Sequence, residues 1–140
     1  MSKKAKLIIL LNSFVSLILG GFIYVFLKKG TYISGFLQSI RVDFYFRTPE
    51  NLFFSLLKNW ACDFLWAYSL AFLMYFILRK FKNGLALSSA LTLSLGIIME
   101  LLQKTAFVSG TFDLLDLAAE AFAVILSIII IKGVQKNEKV

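Results

Sequence analysis

Four apolar runs of about twenty residues, each free of lysine and arginine, constrain this chain more than any other feature. They cover roughly 7–27, 61–78, 85–103 and 112–131. About 20 helical residues cross the hydrocarbon core of a bilayer. No water is present there to satisfy backbone N–H and C=O groups, so a crossing segment must satisfy them internally, as a helix does. None of the four runs contains a proline. The expected fold is all-α: an integral membrane bundle of four transmembrane helices, forming a single domain over 1–140. Composition points the same way. Apolar residues make up 59% of the 140 and charged residues 16%, against about 45–50% apolar in soluble domains. A soluble domain this small has too little interior to hide the excess.

The first residues, with Lys3, Lys4 and Lys6, have the charge of a signal-peptide n-region. The apolar stretch behind them is long for a signal peptide and no A-x-A site follows, so an uncleaved first membrane helix is expected. The connection between spans one and two, 28–60, carries its own pattern. Ile33, Phe36, Leu37, Ile40 and Phe44 recur at helical spacing. Thr48, Pro49 and Glu50 then read as N-cap, first-turn proline and first-turn acid. Leu52, Phe53, Leu56, Leu57 and Trp60 share a face behind them, and an amphipathic helix lying flat in the interface between helices 1 and 2 is expected. A partly buried loop is the alternative.

Net charge is +7. In a soluble protein that would suggest nucleic acid as a partner. Here the basic residues flank the apolar runs, which suits lipid head groups and argues against nucleic acid. With the N-terminus inside, Lys3, Lys4, Lys6, Arg79, Lys80, Lys82, Lys132, Lys136 and Lys139 fall on the inner side. Lys28, Lys29, Arg41, Arg47, Lys58 and Lys104 fall outside, most of them in one long loop. The expectation is a multi-pass cell-membrane protein with both termini cytoplasmic. Trp60, Phe64, Trp66 and Tyr68 then form an aromatic belt at the outer interface.

Acids are costly inside a membrane, about 2.5–3.5 kcal/mol for Asp at the centre of a span. Five of the eight acids nonetheless lie in or at the ends of spans two to four: Asp63, Glu100, Asp113, Asp116 and Glu120. All five fall toward the same, outer side. At about 100° per residue, Asp113, Asp116, Glu120, Ala123 and Ser127 share one face of span four, opposite Phe122, Ile125 and Ile129. In span three Ser89, Thr92, Gly96, Glu100 and Gln103 share a face, opposite Leu91, Leu95, Ile98 and Leu102. Two polar seams are expected to meet, with carboxylates at their outer ends. Asp63, Asp113 and Asp116 equally suit helix N-termini, where the dipole favours acids. Glu100 sits at the wrong end of its helix for that role. The available charge partners are Arg41, Arg47, Lys58 and Lys104.

Other chemistry has little to build on. There is no histidine, and Cys62 is the only cysteine, with no base beside it. No Walker A, glycine-rich dinucleotide turn or H-E-x-x-H is present, and neither a cofactor nor a metal is expected. Gly20-Gly21 is expected to be a helix-packing contact.

Glu100-Leu101-Leu102-Gln103, followed by Gly110-Thr111-Phe112-Asp113-Leu114-Leu115-Asp116-Leu117-Ala118-Ala119-Glu120, resembles the C-terminal half of VanZ-like membrane proteins. Their pattern is an E-x-x-Q pair ending one span and D-x-x-x-N-x-x-G opening the last. Glu100 and Gln103 correspond to the pair, Asp116 to the aspartate, and Asp63 to an aspartate of the second span. Glu120 stands where the family usually has Asn, Ala123 where it has Gly, and Ala67 where many members carry His. The arginine often found ahead of the last span has no clear counterpart. The resemblance covers about half the chain. It implies a cell-envelope protein of a family whose name-giving member is associated with teicoplanin resistance.

The first functional expectation is an outward-facing acidic site, made by Glu100, Gln103, Asp116 and Glu120 with Asp113 and Asp63 at its rim. It would bind a lipid head group, a cell-wall precursor or a glycopeptide or lipopeptide antibiotic. The alternatives are a membrane-embedded enzyme using paired carboxylates on a lipid-linked substrate and a small cation or proton carrier. With so few helices per chain, a carrier would need to oligomerise. The orientation is open to direct test. Glu50→Cys and Ser109→Cys should react with impermeant thiol labels on intact cells, and Lys80→Cys should not. External labelling of Lys139→Cys would reverse the assignment.

Overall fold

A computed structural model describes residues 1–27, 36, 39, 51–105, 107, 108 and 111–138, with backbone only for 27 and 52–59. The described residues form four helices and no strand: α1 Lys3–Leu27, α2 Leu52–Leu78, α3 Gly84–Lys104 and α4 Leu114–Asn137. Each is long and apolar enough to cross a membrane, and the chain is an all-α, four-helix, multi-pass bundle. A helix of 24 residues is about 36 Å long, more than the roughly 30 Å core it has to cross.

The separate interfacial helix expected up to Asn59 differs from what is observed. Residues 52–59 are the first turns of α2, whose backbone runs unbroken from Leu52 to Leu78. The physical reason lies in the sequence, since that stretch holds neither glycine nor proline to interrupt the helix. The apolar crossing begins at Trp60, so the preceding turns prolong α2 by about 12 Å. Thr48, Pro49 and Glu50 lie outside the described residues. Between α2 and α3 the chain turns tightly: the Phe81 N–H donates to Leu78 O (2.9 Å) and the Gly84 N–H to Phe81 O (3.0 Å). A Cβ at position 84 would overlap the Leu78 carbonyl, so glycine is required where α3 starts.

α2 is the central element and packs on α1, α3 and α4. α3 also packs on α4, whereas α1 rests on α2, touches α4 lightly and hardly meets α3. Much of the interior is small and polar: Ser13, Ser16, Ala67, Ser69, Ala71, Ser88, Thr92, Ala123 and Ser127 are buried, beside an apolar cluster that includes Ile9, Phe72 and Ile131. Leu7, Ile18, Phe22, Ile77, Phe122, Ile125 and Ile129 are each half or more exposed. In water this would be inside out. In lipid, large apolar side chains gain nothing by hiding, and small ones let helix backbones approach. The expected outer face of α4, with Phe122, Ile125 and Ile129, is observed. In α3 the buried residues are Gly84, Ser88, Thr92, Gly96 and Glu100, a step of four. Ser88 takes the place expected for Ser89, which is half-buried. A step of four overshoots the 3.6-residue turn, so the seam winds along an inclined i±4 ridge, and a straight face assignment misses its far end.

Hydroxyls on these seams are satisfied within their own helices: Ser88 donates to Leu85 O, Thr92 to Ser88 O and Ser127 to Val124 O. Between α1 and α2 they reach across. Ser69 Oγ donates to Ser13 O (2.8 Å) and Ser13 Oγ to Ser69 O (3.0 Å). Tyr68 O–H donates to Asn12 Oδ1 (2.7 Å). Further along, the Cys62 thiol donates to Gly20 O (3.8 Å), with Gly20 packed on Leu65. Tyr68 is thus part of the buried core with Phe72 and Tyr75 rather than of an aromatic belt; its phenol is satisfied inside the bundle by Asn12. A double-mutant cycle on Ser13→Ala and Ser69→Ala should show a coupling of about 0.6 kcal/mol, and at most roughly 1.7, read from reversible unfolding in mixed micelles. Coupling indistinguishable from zero would refute the reciprocal pair.

Candidate functional site

The acids are placed by the junction between α3 and α4. Asp113 is extended (φ −134, ψ 123) and its side chain accepts from the Leu115 N–H at 2.9 Å, so it is the N-cap of α4. Asp116 lies in the first turn. The Asp113 backbone N–H donates to Glu100 Oε2 at 3.0 Å. That bond accounts for an acid at the C-terminal end of α3, where its own helix dipole disfavours it. Glu100 serves the N-terminus of the next helix, where the dipole favours a carboxylate.

Glu120 lies a turn beyond Asp116, only 6% exposed. Its Oε2 is buried and has no hydrogen-bond partner among the described residues. The carboxylate lies directly on the backbone of Gly96 in α3; a Cβ at position 96 would overlap it. The seam glycine therefore provides the space that the buried acid occupies. Sequence phase put Gly96 on the Glu100 face, but it did not connect the glycine with Glu120.

These groups open on a cavity of about 330 Å³ bordered by all four helices. α2 contributes Cys62, Asp63 and Trp66; α3 contributes Met99, Glu100 and Gln103; α4 contributes Glu120. The remaining wall is α1, with Ser16, Leu17, Gly20, Gly21, Tyr24 and Val25. Because α1 and α3 hardly touch, the cavity occupies the gap between them. Of the expected site residues, Glu100, Gln103, Glu120 and Asp63 line it. Asp113 and Asp116 do not, their places being the cap and first turn of α4. Asp63 lies about three turns inside α2 and is not a helix cap. The α1 wall was legible only as Gly20-Gly21: Gly20 makes the expected packing contact, whereas a Cβ on Gly21 would meet open space.

Asp63, Glu100 and Asp116 are the charged neighbours of Glu120. Coulomb repulsion opposes holding several carboxylates ionised side by side away from water. A cation, a proton or a set of strong donors relieves it. Lys104 does not line the cavity; it is exposed, with its ammonium 5.4 Å from the centre of the Phe112 ring. Arg41, Arg47 and the side chain of Lys58 lie outside the described residues. Among the described residues no three Cys, Asp or Glu side chains are grouped to hold a metal ion.

The chain matches no protein-family model, no curated protein and no solved structure.

The Gly96–Glu120 contact has a measurable signature. Gly96→Ala should destabilise the bundle by about 1–3 kcal/mol, the usual cost of forcing extra volume into a packed interior. In a Glu120→Ala background, which vacates the space, most of that loss should disappear. An equal loss in both backgrounds, read by thermal unfolding in detergent, would rule out the close approach.

Proposed function

We propose that this chain is a VanZ-like cell-envelope membrane protein whose acidic cavity, on the outer side of the membrane, binds the head of an amphiphile. The observation that carries the reading is Glu120, a buried glutamate with an oxygen unpartnered among the described residues, in the lining of a cavity that Asp63 and Glu100 share. An unmet carboxylate oxygen away from water is unfavourable, and it is what an ammonium or hydroxyl donor on a ligand would satisfy. Glu100 and Gln103, beside it, belong to the stretch that resembles the VanZ-like pattern.

The ligand classes implied by that resemblance are lipid head groups, cell-wall precursors and glycopeptide or lipopeptide antibiotics. Cavity size and lining narrow the fit. A volume of about 330 Å³ is at the small end of ligand pockets, enough for a head group or one arm of a larger molecule. Leu17, Val25, Trp66 and Met99 supply an apolar wall beside the carboxylates. With α1 and α3 scarcely in contact, an apolar tail can lie between them toward lipid while its polar head meets Glu120. Charge favours a cationic or hydroxyl-rich head.

The test uses purified protein in nanodiscs and three alkyl probes of equal length: dodecylammonium, dodecyl maltoside and dodecyl sulfate. Fluorescence of Trp66, in a Trp60→Phe background, reports occupancy. Dodecylammonium should bind tightest and dodecyl sulfate weakest. Glu120→Gln should weaken dodecylammonium by roughly tenfold or more, as losing a charge-assisted hydrogen bond of about 1.5–3 kcal/mol requires. In a susceptible host, the wild-type chain should raise teicoplanin resistance and Glu120→Gln should remove the effect at unchanged membrane levels. Equal affinity for the ammonium and the sulfate, or an unaffected Glu120→Gln variant, would overturn the reading.

A further inference from the structure

A second cavity lies at the other end of the bundle, where α1 begins and where α2 and α4 end. Its volume is about 630 Å³, and Met1, Lys6, Tyr75, Arg79, Lys80, Gln135 and Glu138 line it. The acidic site makes no use of it. Its charge is the opposite of that site: the side chains of Lys6, Arg79 and Lys80, with the amine of Met1, stand against one carboxylate.

The carboxylate is already committed. The Ser2 backbone N–H donates to Glu138 Oε1, and the hydrogen bonds from Ser2 hold the Glu138 carboxyl below the usual range. It therefore stays ionised as a clasp between the start of α1 and the end of α4. The cations are not committed in the same way. Lys6 and Lys80 make no side-chain hydrogen bond among the described residues, although the Lys6 charge also favours the ionised Glu138. Arg79 donates to Phe76 O and lies over the Phe76 ring, 4.0 Å from its centre. One edge of the guanidinium is thereby fixed in place, and the rest of its donor fork remains available. Tyr75 is 4% exposed, and its oxygen accepts from Gln135 Nε2 at 2.6 Å. Its own O–H proton has no acceptor among the described residues, and the residue borders the cavity.

We propose that this basin binds a phosphate-bearing anion, either an acidic phospholipid head group or free phosphate. A pinned guanidinium, two ammonium groups and a phenol proton supply several donors around one space, which matches a tetrahedral oxyanion with several acceptors. Basic pockets between membrane helices on the cytoplasmic side hold such head groups, and the lysine and arginine distribution assigns this end to that side. The basin lies at the end of the apolar spans of α2 and α4, where the phosphates of a bilayer are expected.

The experiment uses the full chain in neutral detergent, with binding read by native mass spectrometry and by shift in melting temperature. Dioctanoyl phosphatidylglycerol should bind at least roughly tenfold more tightly than dioctanoyl phosphatidylcholine. Lys6→Gln and Lys80→Gln should each weaken phosphatidylglycerol by about fivefold, near 1 kcal/mol per basic residue. Tyr75→Phe, which keeps the ring and the net charge, should weaken it as well. Lys82→Gln is the control: Lys82 is exposed in the same turn and does not line the basin, so it should leave binding unchanged. Competition by inorganic phosphate would assign the site to phosphate alone; phosphatidylglycerol binding without such competition would assign it to the lipid. Equal affinity for the two lipids would overturn the proposal. So would a Lys82→Gln loss as large as that of Lys80→Gln, because the effect would then be diffuse surface charge.

Discussion

The bundle depends on how closely its backbones approach. Lipid gives no reward for bringing one leucine-rich helix against another, so contact area alone cannot hold these helices together. What remains is dispersion at short range and hydrogen bonds protected from water. Both require small residues at the contact, which is why Ser13 meets Ser69 and Gly20 meets Cys62 while isoleucine and phenylalanine point outward. α2 carries most of this contact, and the other helices are arranged around it.

The same small residues make a buried acid tolerable. Gly96 belongs to a packing seam by its spacing from Ser88 and Thr92, yet the missing side chain is filled by the Glu120 carboxylate. Glu100, one turn along that seam, is accommodated differently: its oxygen accepts the backbone N–H that opens α4. Two glutamates near each other thus have different standing. Glu100 has a structural bond to lose, whereas the Glu120 oxygen has none. For that reason a substitution at Glu120 disturbs the helix junction less directly than one at Glu100.

Much of this architecture was legible in the sequence because membrane helices follow few rules. Span length, absence of proline and the positions of Phe122, Ile125 and Ile129 require only a hydropathy window and a helical wheel. The start of α4 was legible to within two residues, and its Asp113 cap was among the readings considered. The failures share a cause, which is that local pattern does not report what stands opposite. Trp60 looked like the end of one element because hydropathy changes there, but no backbone signal accompanies the change and α2 runs through it. Tyr68 had the composition of an interfacial aromatic, and only the position of Asn12 on α1 places its hydroxyl inside. Asp63 suited a cap until α2 proved to begin well before it. The contribution of α1 to the cavity was nearly invisible, since a wall made of Leu17, Gly21 and Val25 carries no chemical signature.

α1 rests on one neighbour along most of its length and is clasped to α4 through Ser2 and Glu138 at the end remote from the acids. It is therefore held on one side, by α2 along its length and by the clasp at one end, while its other side faces the gap toward α3. A helix in a bilayer adjusts its tilt to the hydrocarbon thickness, at a cost of fractions of a kcal/mol per Å of mismatch. A change in how α1 sits on α2 would alter the width of the gap toward α3, which is the acidic cavity. The volume of that cavity then depends on the surrounding membrane as well as on the chain, so the same sequence in a thicker or thinner bilayer presents a cavity of different width.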